Sequence, residues 1–153
     1  MNAFNCAPPT FNVLLVEDND DDVLLTKYAF RNLPFVVDLQ VAGDGLKAIS
    51  MLRREPPYGD SPTPHLILLD LNMPRMDGRQ LLVALKSDEL LKQIPAIILS
   101  TSAADDDVWN AYRNHASAYM TKPIELREFR DRIKRFADFW LSEICFVPSA
   151  GSH

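Results

Sequence analysis

The chain has few of the residues that build covalent or soft-metal scaffolds. It carries two cysteines, Cys6 and Cys145, and three histidines, His65, His115 and His153. Two cysteines make no disulfide framework, and the histidines lack the spacing of a metal site. They read as structural or solvated. No apolar run approaches the ~18 residues of a membrane span. The opening MNAFNCAPPT has neither the basic start nor the apolar centre of a secretory signal. Basic residues do not dominate: 16 Lys and Arg face 21 Asp and Glu, a net charge of −5. That argues against a sequence-independent nucleic-acid binder, which needs a basic stripe. There is no internal repeat and no low-complexity segment. The expectation left by these absences is a cytoplasmic globular protein.

What is present is a core. Of 153 residues, 47% are hydrophobic and 24% charged, enough for one domain. Residues 1–10 read as a flexible lead-in, 11–147 as the domain with an extended last helix, and 148–153 as a tail. Apolar runs NVLLVE (12–17), FVVDLQV (35–41), HLILLDL (65–71), AIILST (96–101) and SAYMTKP (117–123) read as strands. Between them lie helical patterns over 23–33, 45–55, 79–86 and 105–115, and a long helix runs from about Glu125 to Ile144. The 56–64 stretch PPYGDSPTP is a loop. Five strands alternating with five helices predict an α/β fold, a (βα)₅ doubly wound parallel sheet. The commonest small solution has strand order 2-1-3-4-5, with sites at the carboxyl ends of the strands.

The polar residues that end those strands therefore share one rim. The first strand ends in Glu17 and Asp18, the third in Asp70, the fourth in Ser100 and Thr101, the fifth in Lys122. An aspartate closing a run as apolar as LILLD needs partners, because an isolated buried carboxylate is costly. Three carboxylates cannot all ionise comfortably beside one lysine. A divalent cation resolves the excess; an all-oxygen set without His or Cys favours Mg²⁺, Mn²⁺ or Ca²⁺ over zinc, and few protein ligands with several waters retained suit Mg²⁺ best. In this reading Asp18 and Asp70 coordinate it directly, the backbone carbonyl of Asn72 adds a third oxygen, and Glu17 holds a metal-bound water. A cation, a lysine and a hydroxyl around a carboxylate are also the parts of phosphoryl transfer. Asp70 becomes the nucleophile and phosphoacceptor, Ser100 and Lys122 bind the phosphoryl oxygens, and backbone N–H groups near Leu71 and Thr101 complete the cradle. Thr101 itself reads as a wall residue.

VLLVEDNDDD, LILLDLNMPRMDG, AIILSTS and AYMTKP resemble, in order and spacing, the receiver domain of two-component response regulators. The likeness spans about residues 12–140, and the frame is the flavodoxin-like one. It implies phosphorylation of Asp70 by a sensor histidine kinase with Mg²⁺, and no enzymatic activity beyond the domain's own phosphorylation and dephosphorylation. It implies a switch through Ser100 and Tyr119, the position of an aromatic that rotates on activation. The face that changes is made by the fourth helix, fifth strand and fifth helix. It also implies a Lys122–Pro123 peptide that is commonly cis. With no output domain following, the chain reads as a stand-alone receiver. The long 55–64 loop, AIILSTS and the ending FADFWLSEICFVP are similar to the small response regulators of phytochrome-type photoreceptor histidine kinases, which are often homodimers.

Other features have plainer readings. Asp20, Asp21 and Asp22 read as a solvated helix start, with Asp20 or Asp21 as N-cap. Asp105–Asp107 read as helix-start charges, and Asp77-Gly78 as turn and cap. In the last helix Phe129, Ile133, Phe136, Trp140 and Ile144 form one stripe, with Phe139 and Leu141 at its sides and Phe146 and Val147 beyond. The surplus predicts a dimer interface of Phe139, Trp140 and Leu141; the alternative is a segment folded back on its own domain. Trp109 and Tyr112 fit either that face or the core. A haloacid-dehalogenase-type phosphatase needs a second acid two residues after its nucleophile, where this chain has Asn72. A flavodoxin-like FMN binder needs a Ser/Thr/Gly-rich loop where this chain has EDNDDD.

Overall fold

A computed structural model describes residues 10–144 and 146. The expected lead-in before residue 10, Cys6, Cys145, Val147 and the 148–153 tail lie outside the described residues. The elements run β1 (Thr10–Val16), α1 (Asp20–Arg31), β2 (Val36–Ala42), α2 (Gly45–Leu52), β3 (Leu66–Leu69), α3 (Gly78–Ser87), β4 (Ala96–Ser100), α4 (Asp105–Arg113), β5 (Ala118–Thr121) and α5 (Leu126–Glu143). The sheet is parallel throughout, in the predicted order β2-β1-β3-β4-β5.

Alternate residues of a strand point to opposite faces, so each strand feeds two cores. Leu14, Val16, Ile67, Leu69 and Ile98 pack with Ile49, Leu81 and Leu85 of α2 and α3. Phe11, Val13, Leu15, Leu66, Leu68, Ile97 and Leu99 pack with Phe30 of α1 and with Phe129, Ile133, Phe136, Ala137 and Leu141 of α5. Every residue of β3 and β4 is buried. A strand covered on both faces is apolar along its whole length, which is why these two read as unbroken runs. Among the described residues, no helix is long and apolar enough to cross a membrane.

Several local expectations change. The N-cap of α1 is Asn19, whose side chain accepts from the Asp22 N–H at 3.0 Å, rather than Asp20 or Asp21. Asp77 does cap α3, in a reciprocal capping box with Gln80. The Lys122–Pro123 peptide is trans, and the cis bond is Pro56–Pro57 in the long loop. His65 is structural: its Nδ1 accepts from the Asn12 N–H at 3.0 Å. On α5 the buried stripe is Phe129, Ile133, Ala137 and Leu141 with Phe136 beside it. Leu141 is fully buried in its own domain and leaves the predicted dimer surface. Four-residue steps from Phe129 lead through Ala137 to Leu141, so the small alanine hid the true stripe. Trp140 is partly buried against Phe136, with ring centroids 5.8 Å apart, and Phe139 is exposed.

Candidate functional site

Each strand delivers one polar group to the same rim. β1 runs out into Glu17 and Asp18, and β3 into Asp70, whose N–H donates to the Val16 carbonyl at 3.0 Å. Carboxylate oxygens of Glu17, Asp18 and Asp70 all lie within 4.8 Å of one another. β5 continues into Lys122, whose N–H is held by the Ser100 carbonyl at 2.7 Å. The Lys122 ammonium lies 2.6 Å from Glu17 Oε2, 2.9 Å from Asp22 Oδ2 and 3.7 Å from Asp70 Oδ1. Glu17, Asp70, Ser100 and Lys122 are all buried, while Asp18 is exposed.

Asp22 is the member that sequence reasoning set aside. The signal was available: with Asn19 as N-cap, Asp22 is the third helical residue, whose side chain turns back over the helix start. There it meets the lysine instead of water.

Four carboxylates thus gather around one ammonium, and their crowding in a buried rim shifts Glu17, Asp70 and Lys122. Burial pushes Glu17 up to about 7; Lys122 opposes the shift and the charge of Asp70 adds to it. Burial also raises Asp70, against Lys122 and the Asn72 N–H, and with help from Asp18 and Asp22. Burial alone would lower the Lys122 ammonium, but Glu17, Asp22 and Asp70 outweigh it and its pKa rises. Hard oxygen donors held close, with more negative charge than the lysine offsets, fit a hard divalent cation. The open side is that of Asp18.

The hydroxyl side of the rim carries a second network. Ser100 Oγ accepts from the Ser102 N–H at 3.1 Å, and the Tyr119 hydroxyl donates to the Ser102 carbonyl at 2.9 Å. Tyr119 packs against the α2–α3 core, already turned toward the loop after β4. Asp107 is more than a helix-start charge. Its carboxylate accepts from Ser102 Oγ at 2.6 Å and from Arg79 at 3.1 Å, and those two bonds hold its pKa below the usual range. Arg79 also donates to Asn72 Oδ1 at 3.4 Å. Leu71 is buried and Thr101 is exposed on the mouth. Ser102, Arg79 and Asp107 join by side-chain bonds between separate elements, which no spacing in the sequence announces.

Known proteins similar to this chain share its frame. The family described as response regulator receiver domain matches residues 13–134. Response regulator Rcp1 of Synechocystis sp. is 37% identical over 138 residues, covering 90% of this chain and 93% of Rcp1. A crystal structure of the phosphorylated cyanobacterial phytochrome response regulator RcpA superposes with a TM-score of 0.88 at 38% identity, covering 91% of this chain and 99% of that one. The Mn²⁺-bound form of Rcp1 superposes with a TM-score of 0.86 at 36% identity, covering 90% and 99%. Strand order, acid-lined rim and a match across nearly the whole sheet lead to one conclusion: the chain belongs to the response regulator receiver domain family.

Proposed function

We propose that Asp70 is the phosphoacceptor of this response regulator, charged by a sensor histidine kinase of the phytochrome type. The observation that carries the reading is the position of Asp70: a buried carboxylate at the end of β3, within 4.8 Å of the Glu17 and Asp18 oxygens and 3.7 Å from the Lys122 ammonium. An Asp70 oxygen attacks phosphorus, a P–O bond forms, and the bond to the donor nitrogen breaks with its electron pair returning to the imidazole. Lys122 neutralises one equatorial oxygen, and the Ser100 hydroxyl donates to another. Asp18, Asp70 and the Asn72 carbonyl would hold Mg²⁺, with Glu17 acting through water. When bound, the cation supplies charge neutralisation to the phosphoryl oxygens. The family relatives Rcp1 and RcpA support the phytochrome-type partner, the second being a phytochrome response regulator. Such a partner and a net charge of −5 fit a cytoplasmic protein that binds no nucleic acid.

The phosphoryl group adds about −1.5 to −2 charges. To donate to it, Ser100 turns its hydroxyl and releases the Ser102 N–H, and the loop bonded to Tyr119 moves with it. That biases the α4–β5–α5 face. A differential of roughly 5 kcal/mol between two states suffices for a nearly complete switch.

The test is incubation with acetyl phosphate and Mg²⁺, followed by intact mass and peptide mapping. The expected result is a hydroxylamine-labile adduct on the peptide that holds Asp70. An unlabelled protein, or an adduct elsewhere, rejects the reading.

Self-association belongs to the same reading, through Phe139 and Trp140 on α5. Phe139 is 55% exposed beside the partly buried Trp140, and Trp109 and Tyr112 of α4 are exposed too. Light scattering on Phe139→Ala combined with Trp140→Ala is expected to give a monomer mass where the parent gives a dimer. Equal masses for the two proteins count against it.

A further inference from the structure

A chain of hydrogen bonds crosses from one side of the Asp70 rim to the other. It starts at Asn72, two residues beyond Asp70, whose Oδ1 accepts from Arg79 at 3.4 Å. Arg79, in the first turn of α3, donates its other nitrogen to Asp107 of α4 at 3.1 Å. The second oxygen of Asp107 accepts from Ser102 Oγ at 2.6 Å, and that Oγ also accepts from the Ala104 N–H at 3.2 Å. Ser102 then closes on the site, its N–H on Ser100 Oγ at 3.1 Å. The chain thus links the loop that follows β3 to the loop that follows β4. These two loops flank Asp70 and Ser100, and the linking side chains sit at the rim, Arg79 41% and Asp107 24% exposed. The Arg79–Asp107 ion pair joins α3 to α4. Surface pairs alone contribute little to stability, so its consequence lies in what it holds.

We propose that Arg79 and Asp107 are positioning residues that lengthen the life of the aspartyl phosphate, by keeping Asn72 and Ser102 braced across the mouth of the site. The inference rests on the reading that Asp70 is phosphorylated. Loss of the phosphate is hydrolysis. A water oxygen bonds to phosphorus on the side away from Asp70, the P–O bond to Asp70 breaks, and its electron pair restores the carboxylate. The water protons leave with inorganic phosphate or pass to solvent. The attacking water must enter in line, between the loops that carry Asn72 and Ser102. The Ser102 N–H leaves Ser100 Oγ on phosphorylation, but the bonds from Ser102 Oγ to Asp107 and from Arg79 to Asn72 are independent of it. The two side chains thus stay tied to one ion pair and cannot swing apart to admit and orient the water. With the pair cut, each side chain is free to move, and the approach opens. Labelling by a small donor uses Asp70, Lys122, the Ser100 hydroxyl and the cation, and neither Arg79 nor Asp107 bonds to any of them; their bonds reach the Asn72 side chain and Ser102 Oγ.

The test compares the parent with Arg79→Ala, Asp107→Ala and the double variant. Each is labelled with acetyl phosphate and Mg²⁺, freed of donor, and followed by intact mass as the adduct decays. Each single variant is expected to lose phosphate about three to ten times faster, the scale of one hydrogen-bonded contact expressed as a rate. The double variant is expected to decay no faster than the faster single, because both cuts open the same brace. The labelling rate is expected to stay within about twofold of the parent. A merely structural brace would lower the melting temperature and slow labelling without a selective effect on decay. Decay rates equal to the parent's, single effects that multiply in the double, or labelling that falls along with lifetime would overturn the inference. A parent that takes up no phosphate overturns the phosphoacceptor reading itself and this inference with it, so the two failures are distinguishable.

Discussion

Asp70→Asn is expected to take up no phosphate and yet to unfold at a higher temperature than the parent at neutral pH. Loss of the adduct follows from the chemistry: an amide is no nucleophile toward phosphorus. The stability gain follows from the electrostatics. Asp70 is buried among Glu17, Asp18 and Asp22, and burial raises its pKa above the ordinary 3.8. A carboxyl whose folded pKa is raised binds its proton more tightly in the native state. The fold is therefore favoured below the unfolded value and loses stability as pH rises toward the folded value. Neutral pH lies well above the unfolded value, so this cost is present there, and an asparagine of the same shape removes it. The Lys122 ammonium loses little, because its close partners are Glu17 at 2.6 Å and Asp22 at 2.9 Å rather than Asp70 at 3.7 Å.

The expected gain is about 1 kcal/mol, or roughly 2–4 °C in melting temperature for a chain of this size. Two controls separate this cause from better packing. Near pH 3 the gap should close, since Asp70 is then protonated in folded and unfolded chains alike. At neutral pH, millimolar Mg²⁺ should raise the parent more than the variant, because a ligand of the native state stabilises by mass action. Thermal denaturation at two pH values, with and without the cation, reads all four points. A variant no more stable than the parent at neutral pH contradicts the reading of the site as a surplus of buried negative charge.

The parts of this site that sequence could show are those fixed by position along a strand. Glu17, Asp70, Ser100 and Lys122 each end an apolar run. In a parallel sheet of known order such ends are neighbours, so four residues far apart in the chain were legible as one cluster. The helices were legible as segments but less so as surfaces. The stripe predicted on α5 passes over Ala137, yet Ala137 lies on the buried face, and Leu141 follows it into the core. Asp22 looked like one acid among three, since its role depends on which residue caps α1. The bonds from Arg79 to Asp107 and Asn72 lie further out of reach. They depend on how α3 and α4 lie beside each other, and hydrophobic periodicity specifies which face is buried without saying which charged side chains meet across the gap.

Gly78→Ala is expected to damage both stability and phosphorylation, through backbone alone. Gly78 opens α3, and its N–H donates to the Leu71 carbonyl at 3.0 Å, so the loop from Asn72 to Asp77 returns directly onto the end of β3. A Cβ at Gly78 would lie 2.7 Å from Leu71 Cα and 2.8 Å from Asp70 C, and closer still to the Asp70 carbonyl oxygen. None of these atoms belongs to a flexible side chain. Either α3 withdraws, breaking the Gly78–Leu71 bond and the packing of Leu81 and Leu82 behind it, or the Asp70 peptide shifts. Overpacking of this kind costs typically 1–3 kcal/mol, and here the rigid partner puts the expectation at about 3, near 10 °C in melting temperature. A shift of the Asp70 peptide also misplaces the carboxylate relative to Lys122 and Asp18, and displacement by an ångström at a reacting centre costs about a hundredfold in rate. Gly43→Ala is the matched control, because a Cβ there meets nothing within 4 Å. It should leave melting temperature and labelling rate unchanged, or raise the former slightly by restricting the unfolded chain. If Gly78→Ala labels as fast as Gly43→Ala, the close approach of α3 to Asp70 has no part in holding the phosphoacceptor in place.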